Sequence, residues 1–122
     1  MAGPEKLFEE KVKKYITSIG GYYIKHFANA YTKSGIPDII SCINGYSIWI
    51  EVKAENGKPS ELQLYNLKKI ARSGGIGILL YPSGFDKFKI FIEKVILCDT
   101  HTQGLAVLKY ASLNGTCITF KN

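Results

Sequence analysis

The sequence predicts a single α/β domain in which a mixed sheet is flanked by helices, and three observations predict it. Two apolar runs, Asp38 to Ile43 and Tyr46 to Lys53, are separated by Asn44-Gly45, the strongest short-range hairpin signal. After the second run a polar loop and a capped helical segment lead to a third buried run, Ile76 to Tyr81. A strand reached through a helix lies parallel to the one before it, so this run is expected beside Tyr46–Lys53. The composition is that of one globular core, with 46% hydrophobic and 21% charged residues in a chain of 122.

Each element has a local reason. In the first segment, Phe8, Val12, Tyr15, Ile16 and Ile19 share a helical face. Pro4 sits near the first helical position, Glu5, Glu9 and Glu10 crowd the positive N-terminal end, and Gly20-Gly21 stops the helix. Tyr22 to Phe27 is aromatic and β-branched, and reads as a strand. A polar loop, Ala28 to Pro37, leads into the hairpin. Ser60 caps the second helix, which runs to about Ser73, with Gln63 as its capping-box partner. Gly74-Gly75 ends it, and Pro82-Ser83-Gly84 turns the chain after the third run. Phe85, Phe88, Phe91, Ile92, Val95 and Ile96 follow at helical spacing, with a strand over Lys89–Phe91 as the alternative. The pattern weakens beyond Asp99, where a helix over Leu105–Tyr110 and a short strand over Thr116–Phe120 are the expectations.

Several function classes are excluded. The longest apolar run is six residues, far short of the roughly 20 that a membrane-spanning helix needs. The N-terminus alternates charges and lacks an apolar signal region, so a cytoplasmic protein without membrane partners is expected. Cys42, Cys98 and Cys117 are odd in number and form no CxxC pair, which reads as reduced thiols rather than a disulfide framework or zinc site. Two distant histidines make a His-based metal site improbable. Sixteen basic residues against ten acidic ones are compatible with a polyanionic partner.

Chemistry concentrates in the hairpin. A two-residue turn sets Ile43 opposite Tyr46, and the same register puts Asp38 opposite Glu51 at the far end. Directly opposed residues have Cβ atoms about 4.5–5.5 Å apart, so the turn alone pairs two carboxylates. Lys53, two residues beyond Glu51, shares its face. Glu51 interrupts an otherwise apolar strand, Ile48-Trp49-Ile50-Glu51-Val52, where an unpaired charge is expensive. Paired carboxylates repel unless a cation neutralises them, and oxygen ligands of this kind suit Mg²⁺ or Mn²⁺. With a lysine beside them, the set reads as metal-assisted phosphodiester hydrolysis.

At this point the residues resemble a family. GIPD at 35–38, EVK at 51–53, ENGKPSELQ at 55–63 and the Gly pair before Ile76 resemble the VRR-NUC branch of the PD-(D/E)XK nuclease superfamily, related to Holliday-junction resolvases. The likeness covers about residues 5–81. It implies a restriction-endonuclease-like core in a single stand-alone domain over residues 1–122, and a divalent-metal-dependent endonuclease acting on branched DNA such as four-way junctions. Asp38, Glu51 and the Val52 carbonyl are then metal ligands and Lys53 a catalytic residue. The family's helix glutamate falls about eleven residues before the helix-ending glycine, which points to Glu9, with Glu10 and Glu5 as substitutes. Glu9 also flanks the apolar helix face, whereas Glu10 points away from it.

Gln63 has two open roles, support of the site and the capping box. Lys25, Lys33, Lys58, Lys68, Lys69 and Arg72 lie on segments adjoining the site and are candidate phosphate contacts, each equally readable as an ordinary surface cation. His26 is read as a surface residue, with a supporting role near the site as the alternative, and Tyr22, Tyr23 and Trp49 as core or base-stacking residues. A homodimer making paired incisions is expected, with Phe85, Phe88, Phe91, Ile92, Leu105 and Val107 as surplus apolar surface. The alternatives are a flap or duplex nickase and a non-cleaving DNA-binding module of the same fold.

Overall fold

The structure is a computed structural model that describes residues 3–27, 34–97, 115 and 117–122. Helix α1 spans Pro4–Ser18, and strands β1 (Tyr22–Lys25), β2 (Ile39–Ile43) and β3 (Tyr46–Val52) follow. Helix α2 (Glu61–Arg72) leads to β4 (Ile76–Leu80). A single 3₁₀ turn (Pro82–Gly84), helix α3 (Phe85–Leu97) and β5 (Cys117–Phe120) complete the order. Among the described residues no helix is long and apolar enough to cross a membrane. The expected helix over Leu105–Tyr110, together with Lys33, Cys98, Leu105 and Val107, lies outside the described residues.

The sheet is five-stranded and mixed, in the order β1-β2-β3-β4-β5. The first three strands pair antiparallel, and β4 and β5 add parallel to β3. The hairpin register is the expected one, with Ile43 opposite Tyr46 and Ile39 opposite Ile50. Asn44 and Gly45 both hold positive φ, 50° and 83°, as a type I′ turn requires. Asn44 also donates from Nδ2 to the Val95 carbonyl at 2.9 Å, tying the hairpin to the end of α3.

Two helical layers enclose the sheet. One face is buried under α1 and α3, where Phe8, Val12 and Ile16 meet Ile39, Ile43, Ile50, Ile78 and Leu80, and Phe85, Phe88, Ile92 and Val95 close the layer. The period-3.6 stripe of 85–97 settles that segment as a helix throughout, with no strand at 89–91. The other face packs on α2 through Leu64, Leu67, Leu79 and Tyr81. This arrangement revises the expected dimer surface. Phe85, Phe88 and Ile92 are buried in the core of one chain, and Phe91 packs against it. A sheet with helices on both faces needs this apolar surface for itself.

The polar end of the sheet is where the C-terminus of β3, the start of β2, the end of β1 and the first turn of α2 meet. Gly77, near the start of β4, fixes how closely the middle of α2 approaches the sheet. A Cβ on Gly77 would stand 2.6 Å from the Leu67 carbonyl oxygen, backbone that cannot swing aside. Gly77→Ala therefore has to push α2 off β4. Thermal or urea unfolding should show a loss of about 1–3 kcal/mol, the range for overpacking a tight core. An unchanged midpoint would mean that α2 is not held at this spacing.

Candidate active site

The hairpin brings the two expected carboxylates together. The β2–β3 ladder ends at Ile39 opposite Ile50, and one step further out Asp38 faces Glu51. Asp38 is held by main chain: its Oδ2 accepts from Val52 N at 3.0 Å. Its own carbonyl accepts from His26 N at 2.8 Å. A strand residue points N–H and C=O to the same edge. The Val52 carbonyl therefore faces the edge where Asp38 sits, and the ladder partner there is Pro37, which has no N–H to give.

Glu51 is 2% exposed. Gln63 Nε2 donates to its Oε1 at 3.0 Å, and Lys53 Nζ stands 3.6 Å from the same oxygen. The other oxygen, Oε2, is buried with no hydrogen-bond partner. Burial, followed by the charge of Asp38, pushes the Glu51 carboxyl up to about 8, and Lys53 offsets this only in part.

Gln63 plays both roles at once. Its Oε1 accepts from Ser60 N at 2.9 Å, while Ser60 Oγ accepts from Gln63 N at 3.1 Å, completing the capping box. The opposite end of the same amide grips Glu51. Capping α2 and orienting Glu51 are thus one structural act.

Glu9 is the buried acid of α1, 5% exposed, whereas Glu10 is half-buried and Glu5 exposed. The helix phase read from sequence is correct. Glu9 does not, however, join Asp38 and Glu51 directly. The Lys25 ammonium stands between, 2.6 Å from Glu9 Oε1 and 3.4 Å from Asp38 Oδ1. Lys13 adds a contact to Glu9 at 3.3 Å. Burial raises the Glu9 carboxyl, but Lys25, Lys13 and Lys6 outweigh it and hold it below the usual value. Burial likewise lowers the Lys25 ammonium, and Glu9 and Asp38 outweigh that, leaving it raised.

Lys25 is thus an internal counter-ion rather than a solvent-facing phosphate contact, and the sequence reading missed this. Lys13 is likewise largely covered and ion-paired. The β1–β2 register, Lys25 opposite Ile39, brings Lys25 beside Asp38. That register hangs on a long connection, with no tight turn to reveal it. Lys58, Lys68, Lys69 and Arg72 are exposed, and Tyr22 is exposed rather than core. His26 is half-buried, with Nε2 covered and unpartnered, so it is not a plain surface residue.

Among the described residues no three His, Cys, Asp or Glu side chains converge into a ready-made cation cage. The fit to a divalent ion rests on fewer groups. A buried carboxylate oxygen without a partner, a second carboxylate beside it and a backbone carbonyl on the same edge are hard oxygen donors. Mg²⁺ and Mn²⁺ bind with one or two carboxylates and keep waters elsewhere. Comparison of the chain with protein-family models, curated proteins and solved structures finds no match. The functional reading therefore stands on these residues and their geometry.

The raised Glu51 carboxyl has a direct consequence for stability. Its folded value lies above its unfolded one, so the stability it contributes is complete below the usual carboxylate range and is lost as pH rises toward 8. Glu9, held low, acts oppositely and only in acid. In EDTA, the melting temperature should fall between pH 5 and pH 8.5, and Glu51→Gln should flatten most of that fall. A wild-type curve matching the variant's across this window would contradict the burial of an uncompensated Glu51.

Proposed function

We propose that this protein is a divalent-metal-dependent, structure-specific DNA endonuclease of the VRR-NUC type, with a restriction-endonuclease-like core. One observation carries the reading. Asp38 and Glu51 meet at a strand end beside Lys53 and Gln63, with a buried Glu51 oxygen that nothing satisfies. Burial and the Asp38 charge hold Glu51 protonated near neutral pH, a state that a bound cation would reverse.

In the proposed reaction a water oxygen bonds to phosphorus, one P–O ester bond breaks, and the departing oxygen takes up a proton. Asp38, Glu51 and the Val52 carbonyl would hold a Mg²⁺ or Mn²⁺ ion, which would supply charge to activate the water and neutralise the phosphate. Lys53 places its ammonium where negative charge grows on the phosphoryl oxygens. Gln63 keeps Glu51 in one rotamer, and Asp38 is fixed by Val52 N–H, so the ligands need little reorganisation. Glu9 acts through Lys25, holding its ammonium beside Asp38.

Four-way junctions, which need two symmetric cuts, are the proposed substrate, and a homodimer would supply the second site. Phe85, Phe88, Ile92 and Val95 of α3 are buried within one chain, whereas Ile90, Ile96 and Leu97 remain exposed on it. The burial of the phenylalanines and Ile92 expected at the dimer face favours a second reading, a nickase making one cut in a flap or duplex.

A cleavage assay on a four-way junction, a flap and plain duplex tests both. Cutting should require Mg²⁺ or Mn²⁺ and stop in EDTA. Asp38→Asn and Glu51→Gln should abolish it while DNA binding is kept or tightened. Lys53→Ala should lower turnover by about 10²–10³-fold with little change in affinity, the usual loss for one preorganised electrostatic donor. Glu9→Gln should impair cutting more than Glu10→Gln. Full activity in excess EDTA, or unchanged turnover in Lys53→Ala, would overturn the assignment. Paired incisions in the junction favour the dimer, and single nicks in flaps favour the nickase.

A further inference from the structure

A groove of about 470 Å³ opens on the α2 side of the sheet. Its walls are a stripe of α2, with Asn66, Lys69 and Ile70, and the outer face of β3, with Ser47 and Trp49; Ile36 lies at one end. None of these residues belongs to the site described above, yet two of them adjoin it in a regular way. Trp49 is two residues from Glu51 on β3, and Asn66 is three from Gln63, about one turn along α2. Residues two apart on a strand, or three apart on a helix, lie on the same face. The groove is therefore the continuation of the carboxylate site, with Trp49 roughly 6.6 Å along β3 from Glu51.

Its chemistry favours one occupant. The Trp49 ring is pinned, because Nε1 donates to Ser47 Oγ at 2.8 Å. A pinned indole is a stacking platform that loses little entropy on binding. Lys69 supplies a cation at the wall, and its ammonium also rests 5.6 Å from the Tyr65 ring, with Tyr65 half exposed. Lys68 and Arg72 add positive charge to the same helix, and among the described residues no acidic side chain lines the groove. An aromatic plane beside a cation, in a trough next to the carboxylate site, matches an unpaired base and its phosphate.

We propose that this groove binds unpaired nucleotides of the substrate strand next to the cut, a base stacking on Trp49 with a phosphate held by Lys69. The proposal rests on the nuclease reading for its substrate class. It gives the site a preference for junctions with a single-stranded segment beside the cut over fully paired duplex.

Trp49 is the only tryptophan in the chain, so its emission reports on the groove alone. The full-length protein is titrated in EDTA with an eight-nucleotide oligothymidylate, and binding is followed in parallel by anisotropy of a labelled strand. Saturable quenching of Trp49 is expected, and inorganic polyphosphate should not reproduce it. Trp49→Leu should weaken strand binding by about tenfold, in line with the loss of one base–aromatic stack, while Trp49→Phe largely retains it. Circular dichroism confirms that both variants fold. Strand binding without a Trp49 response, equal quenching by polyphosphate, or no strand binding at all would overturn the proposal. The two readings fail separately. Quenching without hydrolysis on adding Mg²⁺ keeps the groove and removes the nuclease, and hydrolysis with a silent Trp49 does the reverse.

Discussion

The two-residue turn at Asn44-Gly45 sets the geometry on which the site depends. A type I′ turn matches the twist of the strands it joins and leaves one register available, Ile43 against Tyr46. A slip by one residue would turn every side chain of β3 over, exposing Ile48, Ile50 and Val52, all fully buried, and driving Trp49 and Glu51 into the α1–α3 layer. The core therefore enforces the register from one face of the sheet. Once it is enforced, Asp38 must face Glu51 on the other, and Pro37 must face Val52. The electrostatic problem at the strand end is a consequence of hydrophobic packing several residues away.

The protein handles its buried acids in two different ways. Glu9 is matched, with Lys25 at 2.6 Å and Lys13 at 3.3 Å outweighing the cost of burial. Glu51 is under-matched: its lysine stands at 3.6 Å, one oxygen has no partner, and its neighbour is another carboxylate. Burial and Asp38 therefore favour the protonated carboxyl, and ionising it costs stability as pH rises toward 8. Gln63 and the Asp38–Val52 bond keep the group from relaxing away from this position. Residual strain of this kind clusters where a ligand supplies the missing charge.

Much of this was legible in the sequence because it follows from local rules. Asn44-Gly45 gave the hairpin and the Asp38–Glu51 pairing, Ser60 with Gln63 gave the start of α2, and the stripe Phe8, Val12, Ile16 put Glu9 rather than Glu10 at the covered edge. What escaped is long-range. Lys25 reaches Asp38 through a strand pair joined by a long connection, which carries no register signal. The α3 phenylalanines looked surplus because sequence gives their number but not the two-layer burial that consumes them. Gln63 was read as having two competing roles, because sequence alone does not show that an amide has two ends used at once.

The central claim is that the Glu51 carboxyl, protonated when alone, is the seat of a divalent cation. Titration calorimetry with Mn²⁺ at pH 7, run in two buffers of different ionisation heat, measures ion binding and proton release together. A carboxyl held at about 8 must give up its proton to bind the ion, so the account predicts saturable binding with about one proton released per ion. Both should be lost in Glu51→Gln. Binding that releases no proton and survives Glu51→Gln, or no saturable binding in the wild type, would contradict it.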